Sequence, residues 1–302
     1  MKSIRQLSPI SQIKTISSHN ADINCLLLLK DKRLASSSAD NTIKIFERKL
    51  NNNYECSLTL IGHTDSVLYI SQLENEKIIS CAFLTIKIWS ISLTSYICDY
   101  TIEKAHNKWI TKVISLSLNR IGSCSVDGTI KIWDNNPPYN VKATLKCVKD
   151  SVVSILQLKK KELLISAGRK DIIQIWNMIT YQNECVINGV SCFSRNSMVE
   201  SDNDKVIIGG FSIVSILNTK TYRVEISIVD DRIKMIHSLI RINNGKIVCG
   251  CHGGRLCLIG ENGIIEYIKD CSQSDTVYSL VNVDENMFIS GSWDKTIKIW
   301  KY

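Results

Sequence analysis

The pentapeptide Thr129-Ile-Lys-Ile-Trp133 constrains this chain more than any other feature, because it recurs in register from one end of the sequence to the other. Copies stand at Thr42-Ile-Lys-Ile-Phe46, Thr85-Ile-Lys-Ile-Trp89, Ile172-Ile-Gln-Ile-Trp176 and Thr296-Ile-Lys-Ile-Trp300. Two eroded copies, Ile213-Val-Ser-Ile-Leu217 and Arg255-Leu-Cys-Leu-Ile259, fill the gap before the last. The copies end at residues 46, 89, 133, 176, 217, 259 and 300, in steps of 41 to 44 residues, so seven units tile the chain. A fixed period of this length marks a repeat architecture, in which each unit buries its apolar faces only against its neighbours. Each copy is rich in β-branched residues and alternates in period two, which predicts a strand; helical spacing is not sustained anywhere.

Within each period an apolar strand, a polar turn, a second apolar strand ending in small residues and a tight turn precede the recurrent strand. A more polar fourth strand follows, as in Cys56 to Ile61 or Val141 to Lys146. Four strands in ~40–45 residues make one propeller blade. The expected fold is therefore all-β: a seven-bladed β-propeller of four-stranded antiparallel blades, forming one domain over residues 1–302. Only three prolines occur, so the turns rely on Asn, Asp, Ser, Gly and Lys, as in Asn51 to Asn53 and Asn243 to Gly245. The last copy ends two residues before Tyr302, which leaves its blade without an outer strand. Residues 11–17 carry the required alternation, so Ile13 to Ile16 should pair with Thr296 to Trp300 and close the ring, removing two sheet edges at once.

The 302 residues carry a net charge of +8 spread along the chain, which permits an acidic partner without demanding one. The opening Met1 to Lys14 lacks the apolar core of a secretion signal, and no apolar stretch is long enough to span a membrane as a helix. Twelve scattered cysteines then suit a reducing compartment, cytoplasmic or nuclear, where buried Cys acts as a small hydrophobe.

The repeats resemble the WD-repeat family over residues 11–302. The resemblance is carried by Gly62-His63, by Ser123 with Asp127 and Trp133-Asp134, and by Ser290-Gly-Ser-Trp-Asp294 with Trp300. It implies a buried hydrogen-bonded chain of His, Ser, Asp and Trp in each intact blade, which suits their donors and acceptors. Only the third blade has all four: His106, Ser123, Asp127 and Trp133. The first has His19, Ser36 and Asp40 but Phe46; the second has His63, Ser80 and Trp89, is one residue short and lacks the Asp. The fourth has Ser166 and Trp176 with Lys170 and Val148 at the Asp and His places. The seventh has Ser290, Asp294 and Trp300 with Gln273 at the His place, and the fifth and sixth retain little beyond strand periodicity. These losses affect the polar network rather than the fold, which rests on apolar burial between blades.

A recurring His, Ser and Asp suggests a nucleophilic triad, but the trio repeats at scaffold positions in several blades, and neither a Gly-x-Ser-x-Gly elbow nor a phosphate-binding loop occurs. No catalytic residue, cofactor or metal is expected. Cys249, Cys251, His252 and Cys257 cluster without the Cys-x₂-Cys spacing of structural zinc. The recurrent Lys44, Lys87, Lys131 and Lys298 should lay their stems along a blade and reach water. Lys30, Lys32, Arg33 and the run Lys159 to Lys161 fall in turns between first and second strands and make nucleic acid a second class of partner.

The resemblance implies that partners sit on the rim formed by the Asp turns. There the position before the Asp is Ala39, Val126 and Trp293, with Arg169, Gly210 and His252 at the corresponding places. The position before the first strand is Asp22, Ser66, Trp109, Ser151, Arg232 and Thr276. Trp109, Trp293, Arg169, Arg232 and His252 are the candidate contacts, since Trp and Arg are enriched among binding hot spots. The expected function is a non-catalytic scaffold, a monomeric ring that binds other proteins or peptides within a larger complex. A ribonucleoprotein-binding module is the alternative. A ubiquitin-ligase adaptor is disfavoured: the family's Arg three residues beyond the Trp is replaced by Lys49, Ser92, Asn136, Ile179, Lys220 and Asn262.

Overall fold

A computed structural model describes residues 10–148, 151–201, 204–242, 245–260, 263–271 and 275–302. Asn243, Asn262, Gln273 and the side chain of Lys159 lie outside the described residues. Within them the strands form seven four-stranded antiparallel sheets, each built from consecutive strands except the last. That sheet takes its outer strand, Ser11–Ser17, from the start of the chain. Ile16 lies opposite Ile297 and Ser17 opposite Thr296, with a bulge between Gln12 and Lys14, so the closing strand joins Thr296–Lys301 as expected.

The recurrent strands are third from the axis in every sheet: Ile43–Arg48, Thr85–Ile91, Thr129–Asp134, Ile172–Asn177, Ile213–Asn218, Arg255–Ile259 and Thr296–Lys301. Both faces of a third strand meet other blades, which is why central isoleucines such as Ile45, Ile88 and Ile132, and with them Phe46, Trp89 and Trp300, have no exposed surface. The apolar core is divided into seven clusters, one at each blade–blade junction. At the seventh, Ile23, Leu26 and Phe46 of blade one pack on Ile289, Ile297 and Ile299 of blade seven.

Of the recurrent lysines, only Lys298 departs from expectation by being buried. Lys44 and Lys87, partly exposed, also donate to Thr59 and Thr101 on the neighbouring outer strand (3.1 and 2.8 Å). Lys131 and Lys298 donate to the carbonyls of Ala105 and Cys271 (2.6 and 3.0 Å), and Lys298 is buried. In these four blades an acceptor lies within the length of a lysine stem, so each ammonium makes at least one bond to the fold.

Blade five differs from the rest. Its inner strand is only Met198–Ser201, and nine residues, Gly189 to Ser197, separate it from the preceding outer strand, against five to seven elsewhere. Part of this segment leaves the blade and enters the central channel. The Arg195 carbonyl accepts from Lys112 Nζ and Ser154 Oγ (both 2.8 Å), and Arg195 Nη1 donates to the Leu68 carbonyl (2.7 Å). Asn196 Nδ2 donates to the Tyr278 carbonyl (3.1 Å) and lies 3.5 Å from that of Asn24, while the Asn196 carbonyl accepts from the Leu239 N–H (3.0 Å). Leu68, Lys112, Ser154, Asn24, Tyr278 and Leu239 belong to the inner strands of the six other blades. Only a segment on the axis meets all six, so Arg195 and Asn196 plug the channel.

Candidate functional site

The buried polar network is complete in blade three. Trp133 Nε1 donates to Ser123 Oγ (2.8 Å), the Ser123 hydroxyl meets His106 Nε2 (2.7 Å), and His106 Nδ1 faces Asp127 Oδ2 (3.2 Å). Asp127 also accepts the Asn107 and Thr129 N–H groups (both 2.9 Å) and the Thr129 hydroxyl (2.6 Å). The hydroxyl, already an acceptor from the indole, donates to Nε2 and leaves the ring proton on Nδ1 for the carboxylate. Burial outweighs Asp127 and holds the His106 pKa down to about 4, so its imidazole is neutral near pH 7. Blade one repeats the chain from His19 to Ser36 (2.6 Å) and Asp40 (2.8 Å), where Thr42 again joins the carboxylate (2.6 Å). Burial opposes ionisation of Asp40, but hydrogen bonds from Thr42, Asn20 and His19 prevail and bring its pKa to about 2.

Other blades hold fragments. In blade two His63 and Trp89 both reach Ser80 (2.7 and 2.8 Å), and Gly62 lies so close to the indole, at φ +153°, that a Cβ would stand 3.1 Å from it. In blade four Trp176 donates to Ser166 (2.8 Å), but the histidine slot is taken by Cys147, whose sulfur lies 3.8 Å from Ser166 Oγ. Val148, expected there, is exposed, and its N–H donates to Gln174 (2.8 Å). Ser36 and Ser123 have no exposed surface, so these trios present no nucleophile to solvent. Cys249, Cys251 and Cys257 are buried in blade six, Cys249 opposite Cys257, whereas His252 is exposed and bonds Thr276 Oγ1 (2.9 Å).

The basic turns are largely engaged. Arg33 is buried against Asp31 (2.7 Å) and the Ser92 carbonyl (2.7 Å), Lys30 donates to the Glu74 carbonyl (2.8 Å), and Lys161 pairs with Asp204 (2.8 Å).

The rim at which the inner strands begin is different in character. The N–H of each residue before the Asp donates to the carbonyl before the inner strand: Ala39 to Asp22, Val126 to Trp109 and Trp293 to Thr276. By the same bond His252 pairs with Met235, so Met235 rather than Arg232 holds that place in blade six. Arg232 lies three residues earlier, exposed and paired with Asp230 (2.6 Å). Arg169 is exposed on the turn of blade four. Trp109 is 58% exposed, and its ring meets Phe83 of blade two edge-on (centroids 6.1 Å), forming a cleft completed by Asp65, Ser66 and Leu68. Trp293 is half-buried and stacks on Tyr278 (4.9 Å).

Sequence reasoning missed Phe83, Phe193, Phe211, His237 and Tyr278 on this rim. Of the five phenylalanines, Phe46 and Phe288 are fully buried, while Phe83, Phe193 and Phe211 are 41%, 47% and 61% exposed, all at this end. The signal for Phe83 was the one-residue shortening of blade two: Phe83 and Leu84 alone join Ala82 to Thr85, and Phe83 takes φ +46°. Exposed aliphatics at the opposite end, such as Leu93, Leu118 and Ile179, occur singly on turns of different blades. No helix among the described residues is long and apolar enough to cross a membrane.

The sequence profile of the family described as "WD domain, G-beta repeat" matches residues 10–47, 97–134 and 266–301. These spans contain Asp40, Asp127 and Asp294, each in a turn that caps a Thr. Among curated proteins, the chain is 23% identical over 270 residues to a WD repeat-containing protein 55 homolog of Dictyostelium discoideum, matching 88% of this chain and 54% of the relative. It is 22% identical to the guanine nucleotide-binding protein subunit beta of Saccharomyces cerevisiae (92% of this chain, 66% of the relative). It is also 22% identical to a WD repeat domain-containing protein 83 homolog of Dictyostelium discoideum (96% and 98%). The chain thus spans about half the length of the first of these relatives.

Proposed function

We propose, from the premise that this chain is a WD-repeat β-propeller, that it is a non-catalytic scaffold whose aromatic rim docks partner proteins. The observation that carries this reading is the concentration of solvent-facing phenylalanine and tryptophan at one end of the ring. A ring sealed by seven apolar junctions derives no stability from exposed aromatics on a turn, whereas such rings are large, rigid contact surfaces for a partner. Phe83 and Trp109 form the first anchor, and Trp293, His252 and Arg169 extend the surface around the rim. The chain works as a single domain and a monomeric ring within a larger complex, in the cytoplasm or nucleus, and any catalytic step belongs to what it gathers.

The test is affinity capture from native lysate with the intact chain, the Phe83→Ala/Trp109→Ala double variant, and Leu118→Ser at the opposite end as control. The double variant should lose partner capture at least tenfold with an unchanged melting temperature, each anchor supplying ~1–2 kcal/mol. Equal capture by all three proteins overturns the assignment of the rim. Loss of capture on nuclease treatment replaces protein docking with a nucleic-acid partner.

A further inference from the structure

His237 stands at the mouth of the channel among the rings of Phe193, His252, Tyr278 and Trp293 (centroids 5.1 to 6.3 Å). It is 5% exposed, and neither of its nitrogens has a hydrogen-bond partner among the described residues. The indole Nε1 of Trp293, in the adjoining ring, is likewise buried and unpartnered. A buried donor without an acceptor costs ~1–3 kcal/mol, so two side by side, in a rim that faces solvent, form an incomplete binding site rather than a finished core. Neutral imidazole and indole each present one N–H, and their ring centres stand 5.8 Å apart; a carboxylate brings two acceptor oxygens to such a pair of donors.

A fixed positive charge stands beside this pair. The Arg195 guanidinium lies 5.2 Å from the centre of the Tyr278 ring and spends one nitrogen on the Leu68 carbonyl. Besides burial, which comes first, His252 and Arg195 push the His237 pKa down, to about 4, against the opposing pull of Asp275. The neutral imidazole keeps one N–H to donate. Phe193 meets His237 edge-on (6.3 Å) and is half-exposed, so its ring lies between His237 and solvent.

We propose that Phe193, His237, Tyr278 and Trp293 form a receptor for a carboxylate side chain, glutamate or aspartate, on an extended segment of a partner protein. Trp293 Nε1–H and one His237 N–H donate to the carboxylate, Arg195 supplies the charge, and Phe193 is the displaceable cover. This rests on the reading of the rim as a docking face and gives one part of it a ligand chemistry.

The probe is a capped pentapeptide with a central glutamate among glycine and serine, titrated into the full chain with isotope-labelled indole groups. The Trp293 resonance is assigned by its absence in Trp293→Phe. It should move downfield and saturate with a Kd of ~1 mM. The peptide with glutamine in place of glutamate should bind roughly tenfold more weakly. Phe193→Ala should tighten binding, and His237→Phe, checked for an unchanged melting temperature, should weaken it.

An unmoved Trp293 resonance, an equal response to the glutamine peptide, or retained affinity in His237→Phe overturns the proposal. So does a stronger response to a short oligonucleotide, which assigns the site to phosphate. If the peptide fails while Phe83→Ala/Trp109→Ala still abolishes capture, the docking face stands and this site falls; the reverse pattern separates them equally.

Discussion

Ser123 accepts a hydrogen bond from Trp133 and donates one to His106, whereas Ser36 serves His19 alone, because Phe46 has no donor. Ser123→Ala therefore strands two buried groups and Ser36→Ala strands one. Chemical denaturation should find Ser123→Ala the more destabilising by ~1–3 kcal/mol, the cost of one additional unsatisfied group. The same residues set an acid limit. Burial holds His106 at about 4 and His63 at about 3, below the 6.5 of an unhindered imidazole. The unfolded chain takes up protons below about 6.5 that the fold refuses until about 4. Stability is thus full above that window and declines as the pH falls through it. The melting temperature should drop in step, and His106→Asn should make the decline shallower. The His, Ser and Trp of this network were legible because their spacing repeats. Thr42 and Thr129 were passed over although they open the repeat, because their hydroxyls bond only after the Asp turn has formed. Cys147 for Val148, and Met235 for Arg232, show how counting along a chain slips where a turn changes length.

At the scale of elements, every third strand was readable, because β-branched alternation survives even where Trp becomes Leu217 or Ile259. The plug was not. Cys192 to Ser197 has no period, and its residues gain meaning only from donors and carbonyls on six other blades, which are distant in sequence. The shortened inner strand of blade five is the counterpart of that excursion: residues just before it, Arg195 and Asn196, bond the inner strands of the other blades instead. Asn196→Ala removes the side-chain amide that bonds the Tyr278 carbonyl. It should cost ~1–3 kcal/mol and speed hydrogen exchange at the Leu239 amide, which the Asn196 carbonyl caps.

For the whole molecule, closure is the feature on which cooperativity depends. Six blades complete themselves with a strand that follows in sequence, and the seventh completes itself with Ser11–Ser17. Removing residues 1–17 would bare the edge of Thr296–Lys301 and strip Ile10 and Ile16 from the junctions they help to fill. The truncated ring should melt at least ~5 °C lower and over a broader range in calorimetry, since end blades freed from one another unfold more independently. The closing strand was legible because its alternation matches that of the other outer strands. The aromatic rim was legible only at Trp109 and Trp293, where the repeat assigned a turn position; Phe193 and His237 meet there only because the plug brings Phe193 to the mouth.

The plug also decides how the molecule can be used from its two ends. With its own backbone lodged across the axle, the ring offers no tunnel: a peptide tail or nucleic-acid strand cannot be threaded from one side to the other. Each mouth is a blind cup with a hydrogen-bonded floor, so a guest seated on the aromatic side and one seated opposite stay physically partitioned. Any influence between them must travel through the blades.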